Sequence, residues 1–331
     1  MIRFKSIGDV LFTLPAIHVI RENFPNAKIT FLTSKENVPL AAGFRELNEV
    51  RGIDRSVFHR GNPVAIFRES ISLWRWLRQR KFSLTVDFQG YGETALIAWL
   101  SRSPERWGSV YRAGRAWAYT RAIKRENKVH PADWNLSLLR QCELTGGLIH
   151  NEFVVPDTAL DEARRFFATH GQDPAKPSLF IQPFTSTPSK CWPLENFLVL
   201  ARHFKERGVQ IFFGGGPADL AALAPAREAG FPVSAGVSLL VTAGLMKLST
   251  LIVGGDTGLL HMAVAMNKRV IMLMSSSVHT RCHPFQHADW VITPPPAEAI
   301  SGITTGVVIN ACSRALAESR PNDPAFSRQS S

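Results

Sequence analysis

Short apolar runs, each closed by glycine or a small polar residue and followed by a helix pattern, recur along this chain. "AKITFLTS", ending at Ser34, and "LTVDFQG" read as strands, while "FRESISLWRWLRQRKF" and "TALIAWLSR" carry helical periodicity. Strands reached through helical crossovers pair in parallel, so the pattern predicts an α/β fold with a doubly wound sheet. The alternation starts afresh after "QDPAKPS". There "LFIQPF", "VQIFFGGG", "LIVGGD" and "RVIMLMS" are strands, and "PLENFLVLARHFKERG" and "GLLHMAVAMN" are helices. That polar, proline-rich stretch predicts a boundary near Gly171: a first domain over 1–170, a second over 171–319, and a polar tail from Arg320 expected to be disordered. A length of 331 residues, at roughly 150 per domain, also suggests two.

Local signals refine this. Apolar residues at Ile17, Ile20 and Phe24 predict a helix over Val10 to Phe24, its first turn disturbed by Pro15. "TALDEARRFFATHG" predicts a helix capped by Thr158 and stopped by Gly171. Between Arg102 and Lys128 the pattern changes to a basic stretch interleaved with Trp107, Tyr111, Trp117 and Tyr119.

A net charge of +11 points to an anionic partner. The four cysteines are scattered with no C-x-x-C, so they are expected to be reduced thiols rather than zinc ligands, Cys191 among them as a packing residue. No leader-like segment and no run of about 18 apolar residues occurs, so the expected setting is cytoplasmic with at most peripheral membrane contact. No D-x-D pair offers an obvious Mg²⁺ site. No helix-turn-helix, RRM or zinc pattern supports nucleic-acid binding.

Three turns after second-half strands carry chemistry. Gly255-Asp256-Thr257-Gly258, running on to His261, opens a helix whose free amides suit an anion, with Asp256 placed to cap it. "PFTSTPSKCWP" offers hydroxyls at Thr185 and Ser186 and the ammonium of Lys190. Gly214 to Asp219 brings glycines and a carboxylate suited to ribose hydroxyls, or to capping the next turn. Ligands of open α/β sheets collect at the carboxyl ends of strands, so the three converge on a nucleotide diphosphate.

Together with "SIGDVLFTLPAIHVIRENFPNAKITFL", "SKCWPLENFLVLA" and "VGGDTGLLHMAVAM", these turns make the chain resemble glycosyltransferase family 9, the ADP-heptose:lipopolysaccharide heptosyltransferases, to about Pro284. The resemblance implies a GT-B fold, two Rossmann-like domains facing a cleft, and an inverting transfer that needs neither metal nor cofactor. It implies a nucleotide-sugar donor, expected to be ADP-heptose, and an anionic lipopolysaccharide-core acceptor at the inner membrane. Asp9 matches the family's base, beside Gly8. Thr185, Ser186, Lys190, Thr257 and Gly258 match its diphosphate contacts, with Asp256 and His261 completing the motif and Asp219 nearest its ribose acid. Arg112, Arg115, Arg121 and Lys124 are then expected as a group to hold acceptor anions, with Trp117 and Tyr119 against sugar or lipid; taken residue by residue, the stretch reads as a solvated basic face with its aromatics in the core. The first strand is shorter than the family's, and Ser275, Ser276 and Ser277 stand where a Gly-Pro-Thr turn is usual. These departures leave a second reading, a non-catalytic sugar-nucleotide-binding or scaffolding protein.

Overall fold

A computed structural model describes residues 1–59, 61–126, 128–275 and 279–318. Ser276, Ser277 and the tail from Arg320 lie outside the described residues. The chain divides into two compact units, Met1–Val154 and Val155–Ser331.

In the first unit every strand pairing is parallel. Thr30–Ser34 lies beside Glu49–Ile53, and Leu84–Asp87, Glu105–Val110 and Arg121–Lys124 lie side by side. The N-terminal stub joins the two groups: Ile2 bridges Leu32 on one side and Asp87 on the other. Its amide donates to Val86 and the Arg3 amide to Leu32, at 2.9 and 3.0 Å. The resulting order, with the first segment between the second and fourth strands, is that of a dinucleotide-binding fold, whose ligands gather where the winding direction reverses.

The helix pattern of "FRESISLWRWLRQRKF" becomes Pro63–Arg80, capped by Asn62, whose side chain accepts from the amides of Val64 and Ala65. It buries Leu73, Trp76 and Leu77 with Ile2, Phe4 and Ile97. Each fully buried side chain of this size contributes roughly 1.5–3 kcal/mol. Pro15 splits the expected first helix into Ile7–Leu11 and Leu14–Asn23, and sits in the first turn of the second, where its missing N–H costs nothing.

The basic stretch supplies two of the strands, Glu105–Val110 and Arg121–Lys124. Tyr119, expected against ligand, is buried, and its hydroxyl donates to Asp87 Oδ2 at 2.6 Å. Burial raises the Asp87 carboxyl above its ordinary range, against hydrogen bonds from Tyr119, Thr94 and the Gly90 and Gln89 amides.

The second unit has a five-stranded sheet ordered Val291–Ile292, Val270–Leu273, Leu251–Gly255, Ser178–Gln182, Gln210–Phe213, again with parallel pairing. Its winding reverses between Ser178–Gln182 and Leu251–Gly255. Helix Asp157–Thr169 belongs to this unit, although the proline-rich stretch after it put the boundary near Gly171. The helix packs on Leu239–Leu248, where a Cβ at Gly244 would fall 2.8 Å from the Ala159 carbonyl, so this contact needs glycine. Pro156, not Thr158, occupies its cap position. The cysteines form no disulfides.

Candidate active site

In the first unit, Gly8 and Asp9 follow the first strand directly, at the point where winding reverses. Asp9 is three residues into helix Ile7–Leu11, and its Oδ2 accepts from the Ser6 amide at 2.9 Å and the Ser6 hydroxyl at 3.4 Å. Its Oδ1 is 2.5 Å from the Arg3 guanidinium. Asp9 therefore both caps its helix and pairs with a cation, while a third of its side chain stays accessible. Arg3 is buried and anchored in turn, donating to the Phe88 carbonyl at 2.6 Å. Nothing singled out Arg3 in sequence. Its one signal is a charge inside an apolar stub one residue from the strand's end.

Tyr91, Tyr111 and Arg125 share this end of the sheet. The tyrosine rings lie 5.5 Å apart, and the Arg125 guanidinium sits 5.0 Å over Tyr111. Burial raises the Tyr111 phenol, partly offset by Arg125, and both Arg3 and Asp9 are near enough to add their charges. Of the four expected anion-binding residues, Arg112 follows strand Glu105–Val110 and is exposed, and Lys124 ends its own strand and is exposed. Arg115 donates to the Gly90 carbonyl at 2.8 Å, fixing the turn after strand Leu84–Asp87. Arg121 is not brought together with them. It begins its strand opposite Trp107, at the amino end of the sheet, and pairs with Glu143 at 3.3 Å.

In the second unit, two turns meet beside the reversal point. The loop after Ser178–Gln182 folds back on itself: the Thr185 amide donates to Cys191 Sγ at 3.3 Å, and the Thr185 hydroxyl to the Thr187 carbonyl at 2.8 Å. Cys191 is thus part of the loop's own hydrogen bonding rather than filler. Trp192 anchors the loop's far end; it is buried against Phe197 and donates from its indole N–H to the Ile303 carbonyl at 2.8 Å.

The loop lies on the end of strand Leu251–Gly255 because Gly255 has no side chain. A Cβ there would fall 2.6 Å from Thr185 Cγ2 and 3.1 Å from the Lys190 carbonyl. This closeness lets Lys190 reach across: its Nζ donates to Asp256 Oδ2 at 2.8 Å. His261 Nε2 lies 3.3 Å from the other oxygen, Oδ1. Burial works to raise the Asp256 carboxyl, but His261 and Lys190 outweigh it and hold it below the ordinary range.

Asp256 does not cap the following helix, as its position suggested. Thr257 does, its hydroxyl accepting from the Leu260 amide at 3.4 Å at the start of helix Gly258–Ala265. The division of labour leaves Asp256 free to hold the lysine. Asp219 turns its Oδ2 onto the Gly216 amide at 2.8 Å, the capping arrangement of a tight turn. Ser186 is exposed on the loop and forms no part of this network. Among the described residues no group of three or more His, Cys, Asp or Glu side chains is gathered to hold a metal ion.

A family model described as glycosyltransferase family 9 (heptosyltransferase) matches residues 70–299. Lipopolysaccharide heptosyltransferase 3 of Escherichia coli is 24% identical over 294 residues, 85% of this chain and 84% of that protein. Lipopolysaccharide heptosyltransferase 1 of Pseudomonas aeruginosa is 26% identical over 290 residues, 82% and 77% of the two chains. Among solved structures, a family 9 glycosyl transferase from Veillonella parvula has a TM-score of 0.86 at 20% identity, covering 96% of both chains. The E. coli heptosyltransferase WaaC with ADP has a TM-score of 0.76 at 18% identity, covering 95% of this chain and 98% of that one. These likenesses bear out the α/β fold of GT-B class. The family match spans well over half of the chain and takes in both the Thr185–Lys190 loop and the Asp256-Thr257-Gly258 turn; the chain belongs to glycosyltransferase family 9.

Proposed function

We propose that the protein transfers heptose from ADP-heptose to the anionic core of a lipopolysaccharide, with inversion and without a metal ion, in the cytoplasm at the inner face of the inner membrane. The observation that carries this reading is the Lys190–Asp256 contact at 2.8 Å, beside the helix start at Gly258. A cation paired to the residue just before a helix start, at a sheet's reversal point, is suited to a diphosphate. Membership of the heptosyltransferase family and the likeness to the E. coli heptosyltransferase WaaC with ADP agree with it.

In this reading Lys190 leaves Asp256 for the diphosphate, joined by the Thr257 and Gly258 amides and the Thr185 and Ser186 hydroxyls, with Asp219 toward the ribose. His261 keeps Asp256 in place once the lysine has moved. Asp9 takes the proton of an acceptor hydroxyl as its oxygen bonds to the anomeric carbon. The bond from that carbon to the diphosphate breaks on the opposite face, and ADP departs with the electron pair. Charge develops on the departing diphosphate, where Lys190 and the helix amides stabilise it. Arg3 holds the Asp9 carboxylate toward the acceptor, and Gly8, Arg112, Arg115 and Lys124 supply its anion contacts. Arg121, at the other end of its strand, has no part.

A thermal-shift series with ADP-, UDP- and GDP-sugars tests the donor assignment. A ligand at 100 times its Kd stabilises the native state by about 2.7 kcal/mol. ADP-sugars are expected to raise Tm and the others to leave it unchanged. Stabilisation by UDP- or GDP-sugars alone would overturn the assignment.

A further inference from the structure

Helix Pro63–Arg80 carries a second apolar stripe on its outward side. Val64, Phe67, Ile71 and Trp74 follow one another at three- and four-residue spacing, opposite the buried Leu73, Trp76 and Leu77. Phe67 is 65% and Trp74 48% exposed. Arg68, Arg75 and Arg78 share this side and are exposed, and no acidic residue stands among these positions.

The stripe continues onto neighbouring elements. Trp74, Trp99, Leu100, Arg102 and Arg106 line one surface hollow of ≈ 280 Å³. Trp99, 49% exposed, packs edge-on against Trp117, 57% exposed, with ring centroids 5.8 Å apart. Phe67, Arg68, Ile71 and Arg75 line a second hollow on the same helix. Three indoles and a phenylalanine thus lie open to solvent, interspersed with arginines.

A solvated helix face does not need this composition, and a self-associating face would bring like charges together across the contact. Indoles suit the headgroup level of a bilayer, and arginines suit its anionic phosphates. We infer that the outer face of helix Pro63–Arg80, continued by Trp99, Trp117 and Arg102, docks on an anionic lipid surface. The inference names the residues behind the membrane contact in the reading above, and rests on that reading only for which membrane the protein meets.

Co-sedimentation with phosphatidylglycerol/phosphatidylcholine vesicles, against pure phosphatidylcholine, tests it in the full chain. Binding to the anionic vesicles, weakened by salt, is expected. Two independent variants probe the face. Removing three interfacial charges (Arg68→Gln, Arg75→Gln, Arg78→Gln) should weaken binding on the order of 100-fold. Trp74→Ala with Trp99→Ala should weaken vesicle binding and reduce the quenching of tryptophan fluorescence by brominated lipid, with Trp117 left on the face as the remaining reporter. All five positions are exposed, so circular dichroism should not move, and Tm should fall by no more than about a few degrees for the lost Trp99–Trp117 contact.

Wild-type protein that ignores anionic vesicles, or either variant binding like wild type, would overturn the inference. So would a wild-type dimer, seen by sedimentation, that Trp74→Ala/Trp99→Ala dissolves while vesicles stay unbound; the face would then belong to a second copy. Transfer to a delipidated, soluble core acceptor is measured alongside. Failure there counts against the transferase reading, while loss of vesicle binding alone counts only against the docking face.

Discussion

Replacing Lys190 with alanine perturbs the resting site and the donor complex by different amounts, and the difference can be measured. At rest Nζ is 2.8 Å from Asp256 Oδ2, with the lysine 32% and the aspartate 13% exposed. That exposure screens the pair, so its coupling is about 1 kcal/mol. A charge-assisted hydrogen bond to a diphosphate oxygen contributes about 1.5–3 kcal/mol, roughly 10- to 150-fold in affinity. Because the lysine gives up one partner to take the other, Lys190→Ala should weaken ADP binding by only the difference, about 0.5–2 kcal/mol or roughly 2- to 30-fold. In an Asp256→Asn background the ion pair is already gone, and the same substitution should cost the full 10- to 150-fold, as an order of magnitude. Isothermal titration of ADP into the four proteins closes the cycle. Equal costs in both backgrounds would refute the exchange of partners, and no cost in either would remove Lys190 from the donor site.

Two further substitutions and one pH series extend the reasoning. Gly255→Ala places a methyl 2.6 Å from Thr185 Cγ2 and should push the loop off the strand, lowering stability by about 1–3 kcal/mol and weakening ADP binding. Gly254→Ala, whose Cβ would fall 2.3 Å from the Gln182 carbonyl, should cost at least as much by parting two strands, read by urea unfolding. The Asp256 carboxyl lies below its ordinary value in the folded protein, so its stabilisation is complete above the unfolded carboxyl range and is lost as pH falls through the lowered native value. Asp256→Asn should therefore be less stable than wild type at neutral pH and show a flatter loss of Tm on the acid side. An unchanged acid limb would show that His261 and Lys190 do not favour the charged form.

Much of the architecture was legible because the core strands of the second unit are built on short runs of consecutive buried apolar residues. Leu251–Gly255 and Val270–Leu273 are buried along their whole length, and such runs survive in the sequence as clear signals. The strands Glu105–Val110 and Arg121–Lys124 were not legible. Their outer positions carry Arg106, Arg121 and Lys124, and the last strand lies at the sheet's edge, where one side needs no apolar partner. "QDPAKPS" lies inside the second compact unit, and the packing of helix Asp157–Thr169 on Leu239–Leu248, with Ala159 against Gly244, sets that helix on the same side, which no local signal in the sequence announces.

At the site, residue types and turns were visible but partnerships were not. Whether Asp256 or Thr257 caps the helix depends on Lys190, whose ammonium arrives from 66 residues away. Likewise Asp9 was recognisable at its turn, whereas its partner Arg3 was hidden as one charge in a short strand. Tyr119 could be read as facing ligand or as core, and only the buried Asp87, which accepts from its hydroxyl, decides for the core.

Acceptor-dependent release of ADP by wild type and by Asp9→Asn is the most direct measurement of all. With ADP-heptose and a soluble core acceptor, wild type should release ADP only when the acceptor is present. The asparagine variant should lose about 10²–10⁴-fold in kcat while binding ADP as wild type does. Undiminished turnover without the Asp9 carboxylate, or no acceptor-dependent ADP from the wild-type protein, would contradict the assignment.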